Sequence, residues 1–426
     1  VPGLPVFGNA LALGRDMNQF LVESYHRFGP IYRMQIFNRD ITVLAGMDAN
    51  TLVKEEDENI FTNEHQFAWI REHIGKVLTG TTPEEHAHMR RQLKPGYSRV
   101  NAGRQLPLLV KVIDDFIDGL QVGDSFEVFP TMQTLVLDQL GYLMVGSSPE
   151  DYLPDFRRFM KMLLQVHQLS TRPAWVLRLP AFQRAKARSF EMAQRILDEH
   201  KQTTPGVDRP ENAIDILLNN LDVYGNPYDD SSLLAEAMGP FLAGQDTVAG
   251  TLSFLCYTMH KHADVHARVA AEARAKFSPE MSMNQLRELD DIHKTIIETM
   301  RRYTVGALMP RHARKTFEFA GHRVDAGAEV YSATAVVHFL PENYAAPWDF
   351  NIDRPAGPSG AFVPYGVGNY ACLGAGIADI QLLVTMAALL RRGRFELDPA
   401  DYKMKIQNIP LPNPGPYRLK LVEKYD

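Results

Sequence analysis

Tyr365-Gly366-Val367-Gly368-Asn369-Tyr370-Ala371-Cys372-Leu373-Gly374 sets a cysteine in a glycine-rich loop ahead of an apolar stretch. The chain holds only two cysteines, Cys256 and Cys372, too few for a disulfide framework or a cysteine-rich zinc site. Gly366, Gly368 and Gly374 permit turns closed to residues with a Cβ and let backbone amides approach a sulfur. A helix beginning near Leu373 would aim its positive end at that sulfur and favour the thiolate. Such a thiolate suits iron as a soft axial ligand, haem iron in particular.

A second constellation, Ala243-Gly244-Gln245-Asp246-Thr247, interrupts an otherwise apolar run. Glycine inside a helix costs about 0.5–1 kcal/mol relative to alanine, and a buried carboxylate costs more unless paired. Two readings meet that cost. Gly244 allows close helix packing and Asp246 reaches a salt bridge, or the glycine and the carboxylate serve a site that the residues alone do not specify. Glu298 and Arg301 share a helix face at i, i+3. His86 and Arg90 do so at i, i+4, whereas His88 falls away from that row. Alone, these last two pairs read equally well as solvated helix faces.

The elements that must position these residues are mainly helical. Residues 105–200 and 211–303 carry the 3.6-residue periodicity of amphipathic helices. The spacing predicts a long helix from Asp230 to Lys261, capped by Asp229, Asp230 or Ser231 and spanning about 45 Å. Another runs from Leu373 to Leu390 and ends at Arg391-Arg392-Gly393. Alternation over 26–49 predicts a small hairpin, and strand-like pieces recur over 317–337 and 394–397. No internal repeat or linker divides the chain. The expectation is one domain over 1–426, mostly α with small peripheral β-sheets, its helical core over 80–303 and 373–390.

With 426 residues, 45% apolar and 23% charged, the composition is that of an ordinary globular protein. A net charge of −6 without long basic blocks argues against nucleic-acid binding. Cysteine scarcity fits a reducing compartment, and a cytoplasmic location is expected. The most apolar stretch, Leu233 to Met259, contains Glu236, Gln245 and Asp246, so no membrane span is predicted. Val1 in place of Met leaves room for a removed leader.

The segment from Tyr365 to Gly374 resembles the haem-binding loop of the cytochrome P-450 family, Phe-x-x-Gly-x-x-x-Cys-x-Gly, with Tyr365 for Phe and Tyr370 where a basic residue is usual. Ala243 to Thr247 resembles the family's Ala-Gly-x-Asp/Glu-Thr motif without a mismatch. Glu298 to Arg301 matches Glu-x-x-Arg, and Trp348 to Pro355 is similar to Phe-x-Pro-x-Arg, with Ile352 for the proline. His86 and Arg90 match a propionate-gripping pair, and Arg311 another propionate ligand.

This resemblance implies the cytochrome P-450 fold, with haem b between the long central helix and the Cys372 loop. It implies that Cys372 ligates iron, that Gly244 leaves space for oxygen, that Thr247 donates to bound dioxygen and that Asp246 relays protons. His86, Arg90, Arg311 and Tyr370 would hold the propionates, and Glu298, Arg301 and Arg354 would form a structural network. The implied activity is hydroxylation or epoxidation of a lipophilic small molecule by O2. Two electrons would come from NAD(P)H through a ferredoxin or flavodoxin and its reductase. Soluble bacterial members of the family are the nearest in kind. Arg90, Arg91, Lys94 and Arg99 would form the basic docking patch, or merely a solubilising surface. By the same resemblance the pocket is lined by Phe67, Trp69, Ile70, Val305, Leu308 and Ile409, with His65 and His167 among its few polar groups. The 63–78 stretch shows no sterol-demethylase signature. A peroxide-driven or isomerising relative, or a haem sensor, remains the alternative.

Overall fold

The computed structural model describes residues 1–168, 171–408 and 411–425. The longer helices are α1 (Met17–Phe28), α2 (Met47–Ile60), α3 (Pro83–Leu93), α4 (Leu106–Asp118), α5 (Val128–Leu140), α6 (Leu153–Leu163), α7 (Pro180–Gln202), α8 (Asp230–Lys261), α9 (Ala263–Lys276), α10 (Asp290–Arg302) and α11 (Ala375–Arg392). Helix α8 has the predicted bounds. The Asp229 side chain caps it by accepting from Ser232 N at 2.7 Å. Helix α11 starts two residues later than the sequence suggests. Gly393 after it is extended, so this helix ends by passing into a strand rather than through a left-handed glycine.

Among the described residues ten strands form three sheets. The largest has the order β1 (Ile31–Ile36), β2 (Arg39–Ala45), β8 (Glu329–Ala333), β5 (Met309–Ala313), β3 (Phe61–Thr62). The predicted hairpin at 26–49 and the strand piece near 330 are therefore one sheet, joined by the parallel pairing of Thr42 to Ala45 with Val330 to Ala333. A second sheet has β10 (Arg418–Lys424) between β4 (Ser125–Glu127) and β9 (Gly393–Asp398). Strands β6 (Phe317–Phe319) and β7 (His322–Val324) pair alone.

One apolar core unites α3 to α11, while two smaller clusters lie on the faces of the first sheet. Helix α8 is buried over most of its surface, which is why its sequence lacks a polar stripe, with an opening at Ala243. It lies in close contact with α5 along much of its length. Among the described residues no helix is long and apolar enough to cross a membrane.

Candidate cofactor site

The cysteine loop is shaped by Gly366 and Gly368, at φ +74° and +79°, conformations that side-chain-bearing residues rarely adopt. Gly374 has an ordinary φ of −79°, so that glycine is not required by the backbone. Cys372 N–H donates to Tyr365 O at 2.9 Å. The thiol is exposed yet closely surrounded by protein, as in an internal cleft. Burial raises its pKa above the ordinary value, and the Gly374 N–H and the Arg90 charge only partly oppose this. The Gly374 N–H at the helix end favours the thiolate, as expected, while desolvation acts against it. Cys256 is plain core, its Sγ 3.9 Å from Met386 Sδ and its thiol pushed up to about 12 by burial.

Four expected anion-binding residues, His86, Arg90, Arg311 and Tyr370, gather beside this loop. The Tyr370 ring lies between His86, at 4.3 Å between centroids, and the Arg311 guanidinium, 4.8 Å away. His86 Nδ1 and Tyr370 Oη are buried without hydrogen-bond partners. Thr62 is close to that hydroxyl but outside hydrogen-bonding geometry. Arg90 makes no ion pair among the described residues and feels the charges of Cys372 and Asp57. Arg311 is already engaged: its Nε and Nη2 donate to Asp57 at 2.9 and 3.3 Å. Burial and the two arginines lower the pKa of His86 to about 4, so it is neutral at pH 7.

On α8, the Thr247 hydroxyl donates to Ala243 O at 2.9 Å, an i to i−4 bond that leaves its oxygen free to accept. Asp246 turns toward α5, where Gln133 Nε2 donates to its Oδ1 at 2.5 Å. Burial raises the Asp246 pKa, against Gln133 and the nearby Arg157 charge. Gly244 has a packing reason, because a Cβ there would fall 2.6 Å from Leu140 Cδ1 on α5. The contact that the structure gives this glycine is helix–helix approach.

Glu298, Arg301 and Arg354 come together as the spacing suggests. Arg301 donates to both Glu298 oxygens at 2.8 Å and to the carbonyls of His338 and Pro347 at 2.8 and 2.7 Å. Arg354 Nε reaches Glu298 Oε1 at 3.2 Å, and the Asn351 N–H reaches it at 3.0 Å. Ile352, where the family pattern has proline, is buried in the main core.

The family profile described as Cytochrome P450 matches residues 1–421. The chain belongs to the cytochrome P450 family. Lanosterol 14-alpha demethylase of Mus musculus is 23% identical, covering 92% of this chain and 81% of the relative. A protein of Mycobacterium bovis named as cytochrome P450 139 is 24% identical over 92% of this chain and 94% of its own length. Among solved structures, the cytochrome P450DA heme domain superposes with TM-score 0.85 at 19% identity, covering 100% of this chain and 97% of that one. The retinoic acid-bound cyanobacterial CYP120A1 gives 0.84 at 22% identity, covering 100% and 99%. The P450 is accordingly a haem-dependent monooxygenase of mostly helical fold.

The residues present fit haem. A thiol in a glycine loop stands beside an unpaired arginine and two buried donors without partners, and a porphyrin with carboxylate arms needs such a set.

The P450's expected pocket residues are less united. Trp69 stacks on His167 at 5.6 Å, and His167 Nε2 lies 2.9 Å from His73 Nε2. His65 stands edge-on to His312 at 5.6 Å. Phe67 and Val305 are partly exposed, whereas Ile70 is 4% exposed within the main core. Leu308 is also partly exposed and packs at the edge of the first sheet's cluster. Ile409 lies outside the described residues. One cleft of about 430 Å³ is bounded by Arg71, His73, Gly75, Lys186 and Ser231, and another of about 650 Å³ by Thr62, His65 and His312; no residue of the sulfur loop lines either.

The basic patch is thinner than its sequence, because Arg90 is half-buried and Arg99 pairs with Asp379 on α11. Arg91 and Lys94 remain exposed. Asp379 also accepts from the Tyr365 hydroxyl. Sequence reasoning missed Asp379, Gln133 and Asp57. Only Asp57 left a signal, an acidic run (Glu55 to Glu58) at a helix C-terminus, where the dipole disfavours it.

Proposed function

We propose that Cys372 ligates haem b through its sulfur, and that residues 1–426 act as one P450 domain hydroxylating or epoxidising a lipophilic small molecule. The balance is one O2, two electrons and two protons per substrate oxygenated, with one water released. NAD(P)H supplies the electrons through a ferredoxin or flavodoxin and its reductase, docked on the face carrying Arg91 and Lys94. The observation that carries this reading is the convergence of the Cys372 thiol with unpaired Arg90, His86 Nδ1 and Tyr370 Oη.

Haem, when bound, supplies the redox chemistry that activates dioxygen. The chain's own residues do the rest. Arg90 gives one propionate a charged donor, and His86 and Tyr370 give neutral ones. Thr247 offers a hydroxyl on the haem-facing side of α8, and Asp246 exchanges protons with it after leaving Gln133. Glu298, Arg301 and Arg354 hold the segment that leads into the cysteine loop. The pocket takes its apolar walls from Phe67, Trp69 and Val305. Lanosterol and retinoic acid, in the names of two similar proteins, are both hydrophobic isoprenoids, which supports a substrate of that character. The reading places the enzyme in the cytoplasm.

The deciding experiment is the reduced, CO-bound spectrum. Wild type should show the red-shifted thiolate band and Cys372→Ser should lose it; a band that survives in the variant overturns the ligand assignment. Turnover with a surrogate ferredoxin and reductase should require NADPH and O2. Product formed equally well from peroxide alone would favour a peroxide-driven enzyme.

A further inference from the structure

Asp57 is buried completely at its side chain, and its partner Arg311 is 4% exposed. The carboxylate accepts three protein hydrogen bonds: Arg311 Nε at 2.9 Å, Arg311 Nη2 at 3.3 Å and Tyr370 N at 3.1 Å. Gly368 is pressed against it so closely that a Cβ would fall 2.3 Å from Oδ2. One side chain from α2 therefore touches both the propionate-type arginine and the loop two residues before the sulfur. Its local setting opposes it. It lies in the last turn of α2 among Glu55, Glu56 and Glu58, where the helix dipole repels negative charge. A residue that breaks local preference while making tight long-range contacts is the expected mark of a site.

The charges near the loop can be counted. Arg90 and Arg311 are cations, Asp57 and Glu58 are anions, Asp379 beside the sulfur is paired with Arg99, and neutral His86 and Tyr370 add no charge. Arg311 is thus offset before any propionate arrives. Its burial leaves the ion pair little screened by solvent.

We propose that Asp57 is a positioning residue of the haem pole: it fixes the Cys372 loop through Tyr370 and Gly368, and by offsetting Arg311 it holds the haem at a more negative reduction potential than the arginine alone would set. The inference rests on the haem–thiolate reading. Electron uptake by iron is opposed by fixed negative charge and favoured by fixed positive charge, so the two members of the pair act with opposite signs.

The test is potentiometric titration of the holoenzyme for wild type, Asp57→Asn, Arg311→Gln and the double variant, with haem content and the CO spectrum read separately. Asparagine keeps an oxygen for the Tyr370 N–H and removes the charge together with the acceptor that Arg311 Nε uses. The midpoint should move positive in Asp57→Asn, negative in Arg311→Gln, and return near wild type in the double variant. Singles that shift in the same direction, or an Asp57→Asn midpoint equal to wild type, overturn the inference while leaving the thiolate band intact. Should Asp57→Asn fail to hold haem, the double variant decides. Haem retained near the wild-type midpoint supports the charge offset, and haem lost again reduces Asp57 to a loop strut and overturns it. Absence of the red-shifted band in wild type would instead defeat the underlying haem reading.

Discussion

Gln133 Nε2 on α5 holds Asp246 Oδ1 on α8 across 2.5 Å, tying down the one carboxylate in the middle of the long helix. The donor favours the ionised carboxylate and so works against burial. Replacing Gln133 by Leu should raise the Asp246 pKa and move the corresponding limb of the product-per-NADPH pH profile to higher pH. Stability should fall by about 1.5–3 kcal/mol, the worth of one hydrogen bond to a charged group. A profile that stays in place or moves down would show that Asp246 does not titrate in turnover.

Thr247→Ala should preserve fold and substrate binding, because the lost hydroxyl bonds only to helix carbonyls of α8. NADPH consumption should continue while product falls and hydrogen peroxide rises. Product and NADPH remaining in register would remove Thr247 from proton delivery.

Gly244→Ala pits intrinsic helix preference against packing. Alanine gains about 1 kcal/mol in a helix interior, but overpacking against Leu140 costs about 1–3 kcal/mol. The expected outcome is net destabilisation in urea, relieved when Leu140→Val is added. A simple gain in stability would mean α5 yields freely.

Glu298→Ala leaves two arginines, Arg301 at 2% and Arg354 at 8% side-chain exposure, without their carboxylate. Removing one member of a buried ion network costs about 3–5 kcal/mol. The apo and haem-loaded forms should both melt earlier, and haem should dissociate faster because the segment ahead of the loop loosens. Unchanged melting would mean the carbonyls of His338 and Pro347 suffice for Arg301.

His338 gives the acid limb of stability. It is fully buried, accepts the Val363 N–H at Nε2 and faces Thr304 at Nδ1, and burial together with Arg301 lowers its pKa to about 3. Unfolded, it titrates near 6.5. Because the folded value is depressed, its contribution is whole above about 6.5 and shrinks as pH falls toward 3, at no more than about 1.4 kcal/mol per unit. Unfolding free energy against pH should be flatter over that window in His338→Gln than in wild type. Parallel curves would assign acid lability elsewhere.

How much was legible depends on whether a signal was local. Helix α8 could be read to its ends because its cap and apolar run lie in one stretch, and Glu298 with Arg301 because one helix turn brings them together. The Cys372 loop announced itself through glycines that two positive φ angles then required. Asp57 and Gln133 stayed hidden, since their partners are 254 and 113 residues away and nothing in their neighbours specifies the pairing. The thiol's raised pKa was likewise illegible, because desolvation depends on surrounding atoms that no spacing reveals. Gly244 had two readings in the sequence, and only the position of Leu140 favoured packing.

The bond from Tyr370 N to Asp57 joins positions 313 residues apart. A ribosome emits the α2 strut long before the sulfur it must brace. The nascent polypeptide therefore cannot finish this pocket piecemeal, and if Cys372 is the iron ligand, as proposed, capture of the porphyrin has to wait until synthesis has passed it. Contacts of such long sequence separation are slow to close. A supply of free haem during expression should then matter most once the cysteine loop has met the α2 strut.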